Sequence, residues 1–191
     1  MLERSCSSSS RAPTPKSLHR SIARGMTLIE VVVVLAILAI LLAIAVPSFS
    51  AILEKQRVDA VVYRLVAHLQ TARTTAITRN VRTTLAPIDG DHWESGWQVF
   101  TDANRSAAFD AGDELIARAP AIEPGTSIRG SASGQSWVSF TADGRPRLLD
   151  GGFQAGTFTI CAGADRGTQV IMSRSGRIRL QPAGTACRAL A

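Results

Sequence analysis

The sequence predicts an α+β protein, in which one long N-terminal helix packs on an antiparallel β-sheet domain. Three features support this class: an unbroken apolar run near the N-terminus, a following stripe of apolar residues at helical spacing, and short β-rich runs separated by glycine-containing turns. A length of 191 residues allows about one domain. A composition of 46% hydrophobic and 19% charged residues fits a globular domain that carries one membrane segment.

The first half of the predicted helix is long enough to cross a bilayer. Val31–Val46 is sixteen apolar residues without a break, and the wider stretch Met26–Leu53 has 28 residues with few polar interruptions. As a helix that stretch reaches roughly 40 Å, against a hydrocarbon core of about 30 Å. A cleavable signal peptide and a simple membrane anchor both fit the apolar run. Neither accounts for Glu30, because a carboxylate near an apolar helix start is costly and usually has a partner.

Residues 1–25 differ from the apolar stretch in composition. They are rich in Ser, Pro and Arg and carry five basic groups and one acidic group. Because they contain no apolar core of their own, we expect no folded structure there. Basic residues beside a membrane segment stay in the cytoplasm, which predicts a single-pass protein with its C-terminal domain on the other side. Cys6 would then be a reduced thiol in the cytoplasmic leader.

The helix is expected to continue over residues 54–80, where apolar side chains recur at spacings of three and four. This stripe, suited to packing on a sheet, consists of Val58, Val61, Leu65, Leu69, Ala72 and Ala76. Polar and charged residues, including Arg64 and Arg73, fill the other faces. His68 lies beside the stripe and is expected to be solvated or capped rather than to bind a ligand.

Residues 81–191 are predicted to form a β-rich globular domain. Short runs rich in Val, Phe, Thr, Trp and Ile alternate with Gly and Asp-Gly turn signals. The candidate strands are Arg82–Ile88, Gly96–Thr101, Ser136–Thr141, Thr157–Cys161, Gln169–Ser173 and Arg177–Leu180. These strands would form the sheet on which the amphipathic helix packs.

The residues at the start of the apolar run carry a specific motif. The sequence RGMTLIE at residues 24–30, followed by apolar residues, resembles the class III signal of type IV prepilins. The resemblance implies that a prepilin peptidase cuts after Gly25 and methylates Met26, the new first residue. It also implies that Glu30 pairs with the N-terminus of a neighbouring subunit in a filament. Pro47 falls where pilins carry a helix-kinking proline, which lacks a backbone donor.

The β-rich part resembles the GspH/FimT group of minor pilins and pseudopilins, and the resemblance covers about residues 24–187. Its motifs are GWQVFTDAN at 96–104, DAGD at 110–113, Ser139-Phe140 with Gly144-Arg145, and Ser173 with Gly176-Arg177. It implies the type IV pilin fold without a cofactor. It also implies insertion into a bacterial inner membrane, a periplasmic C-terminal domain, and later assembly with other pilins into a pilus or pseudopilus filament.

These features predict four segments and a structural role. The segments are a cleaved cytoplasmic leader (1–25), a transmembrane and filament-core helix (26–53), an amphipathic helix (54–80) and a globular domain (81–191). The expected function is that of a minor pilin or pseudopilin in a type IV pilus or a type II secretion pseudopilus. The sequence offers no Ser-His-acid arrangement, metal-ligand cluster or phosphate-binding glycine loop, so we do not expect an enzyme.

Two cysteines lie in the last quarter of the chain. Cys161 and Cys187 are far apart in sequence and the three histidines are scattered, which argues against a metal site. In an exported domain such a pair is expected to form one disulfide. That bond would restrain the unfolded chain by roughly 3–4 kcal/mol and tie the C-terminal hairpin to the sheet. Two buried free thiols are the alternative.

An acidic stretch at residues 102–113 allows two interpretations. Its side chains occupy several ligand positions of a calcium loop, but Ala107 stands where the turn glycine belongs and Asp113 replaces the bidentate glutamate. The favoured interpretation is a polar hairpin in which Asp and Asn side chains cap their own turns.

The C-terminal hairpin is strongly basic. Residues 145–191 hold seven arginines and two aspartates, a formal net charge of +5 that favours an anionic partner. On a strand after a glycine turn, Ile178 and Leu180 would face inward and Arg177 and Arg179 would share the outer face. The plain interpretation is an amphipathic edge strand with solvated arginines, whose charges prevent pairing with another edge.

A second interpretation of the hairpin rests on resemblance. The sequence GRIR at residues 176–179 resembles the C-terminal Gly-Arg-x-Arg motif of FimT-type minor pilins, which implies binding of double-stranded DNA in natural transformation. Arg174 lies at the adjoining turn, and GRPR at residues 144–147 repeats the pattern with Arg145 and Arg147. Contacts of this kind would be to phosphates and without sequence preference. The assembly signal is common to both roles, so it does not separate a DNA receptor from a purely structural subunit.

Overall fold

The first element is a helix, α1, which spans Leu28–Arg79. The computed structural model describes residues 26–132 and 136–189, and only the backbone of residues 46–48 and 132. The helix ends where Asn80 adopts a φ of 52°, a left-handed conformation that asparagine tolerates better than most residues. This end confirms the predicted one. The chain divides into two units between Ala43 and Ile44, and the kink expected at Pro47 stays a prediction.

Within the described part of the chain, eight strands and a short 3-10 helix, Gly184–Ala189, follow α1. The strands are β1 (Thr83–Asp89), β2 (His92–Thr101), β3 (Leu115–Ala119), β4 (Ser127–Ala132), β5 (Val138–Phe140), β6 (Gly156–Ala162), β7 (Arg166–Met172) and β8 (Ile178–Pro182). All six predicted strands are present with shifted ends. The α+β class is therefore confirmed, because one long helix precedes a run of antiparallel strands.

The strands form two sheets rather than the single sheet that we expected. One sheet has the order β3-β2-β1-β5 and the other the order β4-β6-β7-β8. β3 and β4 were not predicted, and each lies at the edge of its sheet. The β3 sequence, LIARA, is short and rich in alanine, and β4 contains Gly130. Each strand has a single β-branched residue, which is a weak signal for a strand.

The predicted stripe of α1 forms the centre of the core. All six of its members, from Val58 to Ala76, are buried, and they share one apolar cluster with residues of both sheets. Leu85 and Val138 represent the first sheet in this cluster, and Phe158 represents the second. The apolar face of the helix therefore packs against both sheets, and the same set of helix side chains contacts each of them.

Two tryptophans on β2 complete the core. Trp93 packs edge-to-face on Phe158 of the second sheet, with ring centroids 4.9 Å apart. Trp97 donates a hydrogen bond from Nε1 to Nδ1 of His68, at 2.9 Å. Burial lowers the pKa of the His68 imidazole, and the nearby Arg64 charge lowers it further. His68 is thus capped by a tryptophan, one of the two environments that we expected.

The edge strand β8 differs from the expected pattern. Leu180 pairs with the buried Val170 of β7 and so shares its core-facing side, yet 46% of Leu180 is exposed. It lines an open groove with Val58 and Val62 of α1. The predicted inward direction is confirmed, and the side chain stays half exposed because β8 is the last strand of this sheet within the described residues.

Candidate functional site

The first candidate site is the start of α1, where Thr27 caps the helix. Its Oγ1 accepts a hydrogen bond from the backbone N–H of Glu30 at 3.3 Å, and its carbonyl accepts one from Val31 at 3.2 Å. The Glu30 carboxylate in the first turn is stabilised by the positive end of the helix dipole. We did not predict this cap, although a threonine followed three residues later by a glutamate could have indicated it.

The helix start is followed by exposed apolar surface. The large apolar side chains from Met26 to Ile44 are 41–83% exposed. Part of α1 is long and apolar enough to cross a membrane, and none of that part is buried inside the protein. Surface of this kind requires a lipid or protein environment. Gly25, the predicted cleavage residue, lies outside the described residues, and the Pro47 side chain is not described.

The second candidate site contains two turns of the β-domain. The first turn follows β5, and the N–H of Gly144 donates to the carbonyl of Thr141 at 2.8 Å. Asp143 accepts hydrogen bonds from the Thr141 hydroxyl at 2.5 Å and from the N–H of Arg145 at 3.2 Å. The Thr141 hydrogen bond contributes most to lowering the pKa of Asp143, and the charges of Arg147 and Arg145 lower it further.

The second turn lies between β7 and β8. The N–H of Gly176 donates to the carbonyl of Ser173 at 2.8 Å, and the N–H of Ser173 donates to the carbonyl of Arg177 at 3.0 Å. The Ser173 hydroxyl accepts a further hydrogen bond from the N–H of Arg177 at 3.1 Å. β8 begins at Ile178, so Arg177 belongs to this turn and not to the strand as predicted. Arg177 is part of the turn because its backbone N–H and its carbonyl both form hydrogen bonds with Ser173.

The structure brings these two turns together on α1. A β-carbon built on Gly176 would lie 3.1 Å from the Gly144 carbonyl oxygen and 3.3 Å from Cδ of Pro146. Nη1 of Arg73 donates to the Gly176 carbonyl at 3.2 Å. Nε of Arg73 lies 3.3 Å from the position of a β-carbon on Gly144. The two Gly-Arg-x-Arg segments therefore meet at one place.

We use the name arginine cluster for the five arginines that lie in these joined turns or directly beside them: Arg145, Arg147, Arg174, Arg177 and Arg179. The last three are exposed, and no ion pair to them occurs within residues 26–132 and 136–189. Among the described residues, their three charges are therefore exposed and not paired with a carboxylate.

The two remaining members of the arginine cluster share a carboxylate. Oδ2 of Asp143 lies 3.9 Å from Nε of Arg145 and 3.7 Å from Nη2 of Arg147. Arg147 also lies over the ring of Phe153, with its Cζ 4.6 Å from the ring centroid. One acidic group against five arginines leaves the cluster strongly positive, which suits an anionic ligand.

Arg82 supports the first turn from beneath. Its Nη1 donates to the Ser139 hydroxyl at 2.8 Å and to the Arg147 carbonyl at 3.3 Å, while Nη2 reaches the Leu148 carbonyl at 3.4 Å. Burial lowers the pKa of the Arg82 guanidinium. The roles of Arg82 and Arg73 were not predicted from the sequence. Arg73 was expected on a face other than that of the apolar stripe, and only its proximity to the small residues Ala72 and Ala76 could have suggested close contact.

The acidic stretch after β2 is held by hydrogen bonds from its own side chains and from Thr84 of β1. Asp102 is buried and accepts hydrogen bonds from the Thr84 hydroxyl at 2.8 Å and from the N–H of Ser106 at 2.9 Å. Asn104 donates to Asp110 at 2.9 Å, and this bond is the main cause of the lowered pKa of Asp110. The polar hairpin whose Asp and Asn side chains cap their turns is confirmed.

Cys161 and Cys187 form the predicted disulfide, with Cα atoms 5.6 Å apart. Both residues are buried, and the bond connects the 3-10 helix to β6. A β-carbon on Gly167 would lie 2.4 Å from Sγ of Cys187. Glycine at this position on β7 therefore makes room for the bond.

Two family models match this chain, one at its N-terminal segment and one in its globular part. Residues 62–176 match the family described as type II transport protein GspH, and residues 20–46 match the prokaryotic N-terminal methylation motif. The pilin-like protein PilA1 of Thermus thermophilus is 33% identical over 92 residues. That match covers 48% of this chain and 56% of PilA1, so the chain spans little more than half the length of this relative.

The fold is similar to that of a solved minor pilin. The crystal structure of the type IV minor pilin FimU of Pseudomonas aeruginosa, in space group P21, aligns with a TM-score of 0.56 and 22% identity. The alignment covers 68% of this chain and 92% of FimU. A second crystal form of FimU gives a TM-score of 0.52 at 22% identity, over 65% of this chain and 93% of FimU. Because the GspH match covers more than half of the residues, the chain belongs to the GspH family of pilin-like proteins.

Proposed function

We propose that this protein is a membrane-anchored minor subunit of a type IV pilus or of a type II secretion pseudopilus. The observation that carries the proposal is the capped start of α1 followed by an exposed apolar surface. Such a helix suits the inner membrane before assembly and a filament core afterwards, because both surroundings are apolar. This role is structural and requires no catalytic group or cofactor.

In this proposal a prepilin peptidase cuts after Gly25 and methylates Met26. The cut leaves a positively charged amino terminus four residues before Glu30. A carboxylate in an apolar filament core is stable only when a cation neutralises it. In our proposal this cation is the amino terminus of a neighbouring subunit. The attraction between the two charges would set the axial position of each new subunit in the filament.

The remaining segments follow from this topology. The basic leader 1–25 stays in the cytoplasm, residues 26–53 cross the inner membrane, and residues 54–80 and 81–191 form the periplasmic domain. The disulfide between Cys161 and Cys187 supports this placement, since such bonds persist in oxidising compartments.

The test of the proposed subunit role is a substitution at Glu30. Glu30→Ala should insert into the membrane and be cut normally, but should be absent from sheared filaments, as judged by immunoblotting. The control is Glu123→Ala, which removes a carboxylate from an exposed pair with Arg57 and should leave incorporation unchanged. Normal incorporation of Glu30→Ala would contradict the pairing with a neighbouring amino terminus.

The arginine cluster favours a second candidate function, binding of double-stranded DNA for uptake. The supporting observation is that two Gly-Arg-x-Arg turns, separated in sequence, meet at Gly144 and Gly176. Several unneutralised guanidinium groups in one place can contact successive phosphates of any sequence. Because Arg145 and Arg147 lie beside the second turn, we now expect them to contribute to binding as well.

Fluorescence anisotropy with a short labelled duplex tests this function, using the full chain in nanodiscs of zwitterionic lipid. We expect a dissociation constant on the order of 10⁻⁴ to 10⁻⁶ M, and a slope of log K against log salt of about −3 for three contacted phosphates. The slope would approach about −5 if all five arginines contribute. Arg177→Gln with Arg179→Gln should remove most of the slope contributed by the second turn.

The matched control for this experiment is Arg105→Gln with Arg118→Gln. Both arginines are exposed, and the double variant changes the net charge by the same amount. It should bind DNA nearly as the wild type does. If the two double variants weaken binding equally, net charge rather than the arginine cluster determines affinity, and the second candidate function is wrong.

A further inference from the structure

We propose that Arg73 is a positioning residue that joins the two arginine turns into a single phosphate-binding surface. This inference deepens the DNA-binding function proposed above and rests on it. Arg73 lies on α1, outside both Gly-Arg-x-Arg segments, and its Nη1 donates a hydrogen bond to the backbone of the second turn.

The contact with the second turn is specific. Nη1 of Arg73 donates to the Gly176 carbonyl at 3.2 Å, across 103 residues of sequence. That carbonyl belongs to the peptide unit that leads directly into Arg177, so fixing it also fixes the origin of the Arg177 side chain. A hydrogen bond from a charged donor is stronger than one between neutral groups. Arg73 therefore holds the backbone from which the Arg177 side chain extends.

The contact with the first turn is steric. Gly144 packs against the same guanidinium, and a β-carbon there would lie 3.3 Å from Nε of Arg73. It would lie even closer, at 2.7 Å, to Cδ1 of Ile77, one helical turn further along α1. Gly144 has a φ of +71°. Glycine at this position thus allows the first turn to pack closely on α1, next to the side chain of Arg73 that bonds to the second turn.

The two turns are supported from different directions. Arg73 and Ile77 lie against the glycine of the first turn, and Arg82 donates to the carbonyls of Arg147 and Leu148 that follow it. The second turn has the contact with Gly144 and the hydrogen bond from Arg73. Loss of Arg73 should therefore loosen the second turn more than the first, although both lose a neighbour.

The Arg73 side chain is partly buried and its Nη1 is committed to the Gly176 carbonyl. A guanidinium used in this way supplies positive charge to the site, but its main effect is on geometry. Lysine cannot replace it, because an ammonium on a flexible stem does not reproduce the planar fork that contacts both turns. Arg73→Lys consequently separates geometry from charge.

The experiment compares three single variants of the full chain in nanodiscs of zwitterionic lipid: Arg73→Lys, Arg73→Gln and Arg64→Gln. Arg64 is the matched control, since it precedes Arg73 by nine residues and so lies on roughly the opposite face of the helix. Hydrogen–deuterium exchange in peptides covering residues 141–147 and 173–177 reports the order of each turn. Anisotropy with the labelled duplex reports DNA affinity. The leader arginines are common to all variants and cancel in the comparison.

We expect exchange in the second turn to become about tenfold faster in both Arg73 variants, and exchange in the first turn to rise less. DNA affinity should fall several-fold in both, including the charge-conserving Arg73→Lys. Arg64→Gln should leave exchange in both turns unchanged. Rescue of both readouts by Arg73→Lys would overturn the proposal, because charge alone would then suffice.

Two further outcomes decide between alternatives. Unchanged exchange together with weaker DNA binding in Arg73→Gln would make Arg73 a phosphate ligand and overturn its positioning role. If the wild-type chain binds no DNA, the proposed DNA function fails by itself. Faster exchange in both turns would still show that Arg73 holds them together, and unchanged exchange would reject that role as well.

Discussion

The carbonyl oxygen of Gly144 lies against the α-carbon of Gly176, so that a β-carbon at residue 176 would stand only 3.1 Å from it. The two glycines are separated by a complete hairpin, β6 and β7, and each belongs to a different Gly-Arg-x-Arg segment. Gly176 also has a φ of +78°, a backbone conformation that is unfavourable for residues other than glycine. Its replacement should therefore disturb both the local turn and the junction between turns.

Gly176→Ala should lower the free energy of unfolding by about 2 kcal/mol, from backbone strain of about 1 kcal/mol plus the close contact. Gly163→Ala is the control, because Gly163 has a φ of +68° but nothing within 4 Å of its β-carbon position. It should cost only the strain. Guanidinium unfolding followed by tryptophan fluorescence measures both, since Trp93 and Trp97 are buried. Equal losses in the two variants would show that the junction contributes nothing to stability.

Processing at the leader gives a second prediction. Mass spectrometry of the protein from membranes should find a chain that begins at methylated Met26. Gly25→Leu should instead leave the full-length precursor in the membrane, because the residue before the cut no longer fits a site that accepts glycine. Ala23→Leu, two residues earlier, is the control and should be processed. A cut after residue 45, as expected for an ordinary signal peptide, would contradict the pilin interpretation.

The third prediction concerns pH and His68. Because burial lowers its pKa in the folded state, the unfolded chain binds more protons below about pH 6.5, and stability must rise with pH in that range. Acidification from pH 7.5 to 5.5 should therefore destabilise the fold. The loss should be less than about 1 kcal/mol, since solvent screens a half-buried imidazole. Protonation of Nδ1 would also break the hydrogen bond from Trp97.

Chemical unfolding at the two pH values measures this loss. His68→Gln should flatten the pH dependence, whereas the exposed His92 can be replaced by glutamine as a control without changing it. The window lies above the range in which Asp110, Glu114 and Asp143 titrate, because their pKa values are lowered from the usual carboxyl range. A pH dependence that survives in His68→Gln would assign the effect to another group.

The fourth prediction concerns the disulfide. Cys161→Ser with Cys187→Ser should lower the free energy of unfolding by about 3–4 kcal/mol, on the chain-entropy account of a crosslink spanning 26 residues. A reductant should produce a similar loss in the wild type and none in the double variant, in which Cys6 is the remaining cysteine. A reductant effect that persists in the double variant would implicate Cys6 instead.

The helix illustrates what the sequence could predict. Its apolar stripe is formed by residues that are close together in the sequence, and the predicted span agrees with Leu28–Arg79. The buried strands that carry Val, Phe and Trp were also predicted, because β-branched and aromatic residues mark a strand locally. The edge strands β3 and β4 were not, since their pairing comes from the neighbouring strand's backbone rather than from their own side chains.

The sequence by itself determined the membrane-length apolar segment, the motif around Gly25 and Glu30, the helical stripe and the cysteine pair. The first three are patterns of residue types at short spacing, and the cysteine pair followed from the position of Cys6 in the leader. Only the tertiary structure decided that the two arginine turns meet on Arg73, that Arg82 lies beneath the first turn, and that Leu180 stays half exposed. The physical reason is that such contacts depend on which strands are neighbours and on how the helix lies across two sheets. Arg73 and Gly176 are 103 residues apart, and no local pattern encodes that distance.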